Sequence, residues 1–161
     1  EEEKLDMKVA FLSLFFVALL AGSAFAKELT PTDARSIAEA IQSGNWDIYV
    51  IYFYWSGERE NQKLEDGLQS NIVDKYTDDV YYAKVDCAKS DYHKVLDTFE
   101  FQDARDNFKG RSIHLEELPM VLAIVHGVGY ISTGETSYEL IQERMPELLD
   151  YKNRKSVQKA Y

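Results

Sequence analysis

Ile48-Tyr49-Val50-Ile51-Tyr52-Phe53-Tyr54-Trp55 is an unbroken apolar and aromatic octet, and Ser56-Gly57-Glu58 ends it abruptly. A run of that length without polar alternation predicts a strand covered on both faces, at the centre of a sheet. Upstream, Thr30-Pro31-Thr32-Asp33 has the cap and first-turn residues of a helix. Ala34, Ile37, Ala38 and Ile41 then recur at helical spacing until Gly44. Downstream, Leu64, Leu68, Ile72 and Tyr76 mark a second helix over residues 60–76, in which Gly67 is a mild internal weakness. Residues 80–85 form the next strand, and Val95, Leu96 and Phe99 mark a short helix over 92–101.

Residues 102–117 are polar and highly charged without a clear period, which predicts an insertion or extended loop with a helical turn of its own. Met120 to Val125 is an apolar, β-branched strand, and His126-Gly127-Val128-Gly129 turns it into a partner strand over 130–133. Thr136-x-x-Glu139 is a capping box for a last helix carrying Tyr138, Ile141, Met145 and Leu148, which Pro146 is expected to kink or divide. Residues 151–161 read as a basic, flexible tail. Helix–strand alternation requires parallel strands joined by crossovers, and the hairpin adds antiparallel ones. The fold class is therefore α/β, a central mixed β-sheet flanked by helices, over residues 27–150.

The N-terminus carries a different signal. Met7-Lys8, an apolar run over 9–20 and the small-x-small ending Ala24-Phe25-Ala26 describe a secretory signal peptide cleaved after Ala26. Glu1 to Asp6 form a leader ahead of it that is no part of such a signal. Cleavage would remove four acids and two lysines, taking the formal charge from −10 to −8. The competing expectation is an uncleaved anchor over residues 9–26, short for a span of about 20 residues and diluted by Ser13, Gly22 and Ser23. The expected location is the secretory pathway, in the endoplasmic reticulum lumen or outside the cell. A membrane-anchored form facing the lumen is the alternative.

The acidic balance disfavours nucleic acid, whose phosphates it repels. The 161 residues, 45% of them hydrophobic, suffice for one core and not for two full domains. A single cysteine, Cys87, excludes both an internal disulfide and a dithiol centre within the chain. His93, His114 and His126 share no metal-ligand spacing, so no metal and no cofactor is expected. Glu100, Asp103, Asp106, Glu116 and Glu117 lack the Asp-x-Asp-x-Asp-Gly pattern of a calcium loop and read as a solvated surface. Gly127-x-Gly129 is no phosphate-binding fingerprint, and Ser56 has no histidine and acid spaced as a hydrolase would need. Tyr49, Tyr52, Tyr54, Tyr81 and Tyr82 alternate along strands and are expected to pack there.

With Trp55-Ser56-Gly57-Glu58-Arg59 at the end of the central strand, Tyr82-Ala83-Lys84-Val85-Asp86-Cys87 in the next strand and Leu118-Pro119 before Met120, the chain resembles the thioredoxin fold, in particular protein disulfide isomerase domains. The resemblance implies a cis-proline at Pro119 and a Trp-Cys-Gly-x-Cys motif at 55–59. Here Ser56 and Arg59 occupy the two sulfur positions, and Val50 stands where many thioredoxins bury an acid. Exchange needs a thiolate to attack sulfur and a second thiol to release the mixed disulfide, and neither hydroxyl nor guanidinium does this. Cys87 resembles a packing cysteine of such domains.

The resemblance is strongest to redox-inactive chaperones and escorts of the endoplasmic reticulum. It implies a non-enzymatic, polypeptide-binding chaperone, escort or complex subunit, with Trp55, Ser56, Gly57, Leu118 and Pro119 as the peptide-binding groove. The alternatives are a structural subunit of a larger membrane-associated assembly and a thiol–disulfide oxidoreductase acting through Cys87.

Overall fold

The computed structural model describes residues 27–28, 34–42, 44–57, 61–89, 102–103 and 115–158. Strands β1 (Lys27–Glu28), β2 (Ile48–Tyr54), β3 (Val80–Asp86), β4 (Gln102–Asp103), β5 (Met120–Val125) and β6 (Val128–Thr133) form a sheet in the order β1-β3-β2-β5-β6-β4. β1, β3 and β2 run parallel, β5 is antiparallel to β2, and β6 is antiparallel to β5 and parallel to β4. The sheet is thus mixed, with its four long strands in the middle and two-residue strands at the edges. Nothing in the hydropathy pattern marks those short edges.

β2 is buried along six of its seven residues because both of its edges are paired and both of its faces are covered. Tyr49, Ile51 and Phe53 point to the face covered by α1 (Ala34–Gln42), where Ile37 and Ile41 meet Leu122 and Met120. Ile48, Val50 and Tyr52 point to the opposite face, against Leu64 and Leu68 of α2 (Gln62–Leu68) and Ile141 and Met145 of α3 (Ser137–Gln158). Each fully buried side chain of this size contributes about 1.5–3 kcal/mol, so β2 is a major apolar investment of the described core. The expected helix over 60–76 is α2 followed by one π-helical segment, Gln69–Val73. Gly67 is there for packing: a Cβ at this position would lie 2.7 Å from the Tyr138 ring of α3.

Two expectations at the C-terminus are corrected. α3 runs through Pro146, so the expected division of the helix there does not occur. Proline in a helix interior costs about 3 kcal/mol. Ile141, Met145 and Leu148 are all at most 1% exposed on the same face, and their burial outweighs that cost while Pro146 itself faces solvent. Residues 151–158 are not a flexible tail either but the last two turns of α3. Tyr151 meets Trp46 at a ring separation of 5.7 Å, and Lys152 Nζ lies 2.7 Å from Asp79 Oδ1, tying the helix end to the turn before β3. The helix start at 30–33, the helix over 92–101, most of the 102–117 insertion and residues 1–26 lie outside the described residues. The insertion contributes β4 and a 3-10 turn, Leu115–Glu117.

Ending the chain after Asp150 should therefore lower stability by about 1–3 kcal/mol, through the lost aromatic contact and the lost ion pair. Urea denaturation of the two forms measures this, and an unchanged midpoint would mark the segment as an appendage.

Candidate functional site

The sheet register brings three separate segments to one end. Phe53 pairs with Met120, so continuing β2 by two residues carries Trp55 to the Leu118-Pro119 step ahead of β5. Tyr54 pairs with Asp86 on the other side, and the Cys87 N–H donates to the Tyr54 carbonyl at 2.7 Å. This is the carboxyl end of the parallel strands, where open α/β sheets place their ligands. Trp55 is half-buried against an apolar cluster that contains Cys87, Leu118 and Met120. The Leu118–Pro119 peptide bond is cis, and the Pro119 carbonyl accepts from Gly134 N–H at 2.9 Å.

Ser56 and Gly57 form an exposed turn after Trp55. Gly57 has φ +84°, a conformation that residues with a Cβ rarely adopt, and the space around its Cα is open to 4 Å. The turn is anchored by Asp86. One carboxylate oxygen accepts from Ser56 N–H at 3.1 Å and from Ala88 N–H at 3.0 Å. Burial works to raise the Asp86 pKa, but the Ala88 and Ser56 hydrogen bonds, with the Lys89 charge, outweigh it and hold the carboxyl below its ordinary value of 3.8. Cys87, next in sequence, is 1% exposed, and burial, with the neighbouring Asp86 charge, pushes its thiol up to about 12. Both effects favour the protonated thiol at neutral pH.

Of the residues expected at the groove, Trp55, Ser56, Gly57, Leu118 and Pro119 come to this one end of the sheet. Their contributions differ. Leu118 is 6% exposed with its side chain in the core, so what it can present is main chain, whereas Pro119 is half-buried and Ser56 exposed. Arg59, at the second sulfur position, lies outside the described residues. Val50 is fully buried among apolar side chains, opposite Tyr82 and Ala123, and brings no acid under the site. On β3, Lys84 Nζ sits 2.6 Å from Glu65 and 4.4 Å from the Tyr54 ring centroid. Four of the five strand tyrosines pack in pairs as expected, Tyr49 on Tyr81 at 5.4 Å and Tyr52 on Tyr54 at 5.5 Å. His126 lies at the far end of the sheet, stacked on Trp46 at 4.0 Å with Nδ1 at 2.7 Å from the Gly44 carbonyl, and His93 and His114 lie outside the described residues. Asp86 is the residue that motif reading missed. Its signal is an acid at the last position of a parallel strand, in register with the residue two before the turn.

No protein-family model matches the sequence, and no curated protein does. Among solved structures the chain is similar to thioredoxin f from spinach chloroplast. The short form of that protein superposes with a TM-score of 0.50 at 11% identity, covering 80% of this chain and 96% of the other. The long form gives 0.49 at 11% identity, with 78% and 88% covered. The chain has the thioredoxin fold, an α/β architecture whose mixed sheet is flanked by helices; identity at this level speaks to the fold alone.

Asp86 should leave a signature in acid. A carboxyl with a depressed folded-state pKa contributes stability that is present above its unfolded value, about 3.9, and is lost as pH falls through the lower folded value. The stability advantage of wild type over Asp86→Asn is therefore expected to hold at pH 7 and to shrink below about pH 4. Denaturant midpoints measured from pH 7 to pH 2 check this, and a constant difference would contradict the anchoring role.

Proposed function

We propose that this protein is a redox-inactive, polypeptide-binding module built on the thioredoxin fold, acting as a chaperone, escort or complex subunit of the secretory pathway. The observation that carries the reading is the occupant of position 56, a serine whose N–H donates to Asp86, on the same sheet end as cis-Pro119. The chain's one cysteine supports it from the other side, because Cys87 is buried with a thiol pushed up to about 12. With no sulfur to exchange, the use left to a groove of this shape is recognition: Trp55 as a half-buried apolar anchor and the main chain around Pro119 as hydrogen-bonding partner for an extended segment. The signal-like residues 7–26 support the secretory route.

A second reading, a structural subunit of a larger membrane-associated assembly, is favoured by a different surface. Val128 is 44% exposed at the mouth of an open groove of about 250 Å³ between β6 and α3, lined also by Tyr130, Leu148 and Tyr151. Size-exclusion chromatography of native material separates the two readings, since a permanent large complex supports the subunit and a free monomer or dimer the chaperone.

The binding reading is tested by titrating an unfolded reduced polypeptide into the protein while following Trp55 fluorescence in a Trp46→Phe background. Trp55→Ala is expected to weaken binding, measured by calorimetry, at least about tenfold, equivalent to about 1.4 kcal/mol. Insulin reduction by wild type should stay at the uncatalysed rate. Turnover abolished by Cys87→Ser would overturn the redox-inactive assignment.

A further inference from the structure

Two sulfur atoms are not all that separates this site from a redox centre. We infer that Asp86 is a positioning residue that makes position 56 selective for a hydroxyl and hostile to a thiolate, so that restoring cysteine there would not by itself restore a nucleophile. The inference deepens the redox-inactive reading and adds a second, electrostatic reason for it.

The geometry is specific. The Asp86 carboxylate stands at the end of β3, fixed by the pairing of Asp86 with Tyr54 and by the Cys87 N–H bond to the Tyr54 carbonyl. From there it accepts the Ser56 and Ala88 N–H groups together, which sets the anion beside position 56. A hydroxyl suits this place, because it stays neutral and can donate to an anion. Ionising a thiol there would set a second negative charge beside the Asp86 carboxylate, which favours the protonated form. The N–H of position 56 itself is already committed to the carboxylate. The natural thiol nearby feels the same field: the Asp86 charge adds to burial in raising Cys87.

The ionisable groups on the segments around position 56 are Asp86, Cys87 and Lys89 after β3, Glu116 and Glu117 in the turn before Pro119, and Glu58, Arg59 and Glu60, which follow Ser56 in the chain. Replacing Asp86 alone leaves all the others in place, so the difference isolates its part.

The experiment uses the full chain with Ser56→Cys in a Cys87→Ala background, which leaves one thiol. The rate of its reaction with iodoacetamide is followed against pH; the thiolate sulfur forms the new S–C bond and iodide leaves. The expected midpoint lies above the ordinary thiol value of about 8.5, and adding Asp86→Asn should lower it by about one unit, a roughly tenfold faster reaction near pH 7. A midpoint at or below the ordinary value, or one that Asp86→Asn leaves unmoved, overturns the inference. Should that variant not fold, the wild-type chain decides. Its Ser56 and Ala88 amide resonances should titrate together at a midpoint below the ordinary carboxylate value, and independent or absent titration overturns the inference. The redox-inactive reading stands or falls separately, on insulin reduction by wild type.

Discussion

Everything at the candidate site depends on β2 being paired on both edges and covered on both faces. A strand in that position cannot slide by one residue without turning Tyr49, Ile51 and Phe53 out of one core and Ile48, Val50 and Tyr52 out of the other. Its register with β3 and β5 is therefore held by the whole interior. That register sets Tyr54 beside Asp86 and Phe53 beside Met120, and so delivers the Ser56 turn, the Asp86 carboxylate and the Leu118-Pro119 step to one sheet end. The core is what makes the edge reproducible.

At that edge Asp86 accepts two backbone N–H groups and its carboxylate form is favoured, while burial favours the protonated thiol of Cys87. Next to it, the Lys84 side chain pairs with Glu65. What stays exposed is a turn with a half-buried tryptophan behind it.

Much of the fold was legible from residue pattern, because burial on both faces leaves an unbroken apolar run and a hairpin leaves its glycine turn. The long strands fall where Ile48-to-Trp55, 80–85 and Met120-to-Val125 placed them, within a residue or two. Pro146 and the segment after Tyr151 misled for one physical reason. Local propensity spoke against the helix, and the core contacts of Met145 and Leu148 and the docking of Tyr151 and Lys152, which decided it, join residues far apart in sequence. Gly67 misled likewise, since the Tyr138 ring that needs its missing Cβ comes from another helix. At the site, Ser56 and Pro119 could be placed by motif spacing. Asp86 could not be singled out, because its bond to Ser56 spans 30 residues and exists only once β2 and β3 are in register.

The most direct measurement is amide chemical-shift mapping of the labelled chain with an unfolded, cysteine-free polypeptide added. Recognition at this sheet end predicts that perturbations concentrate at 55–57, 86–89 and 118–120. Perturbations confined to Val128, Tyr130 and α3, with the Ser56 turn silent, would contradict it.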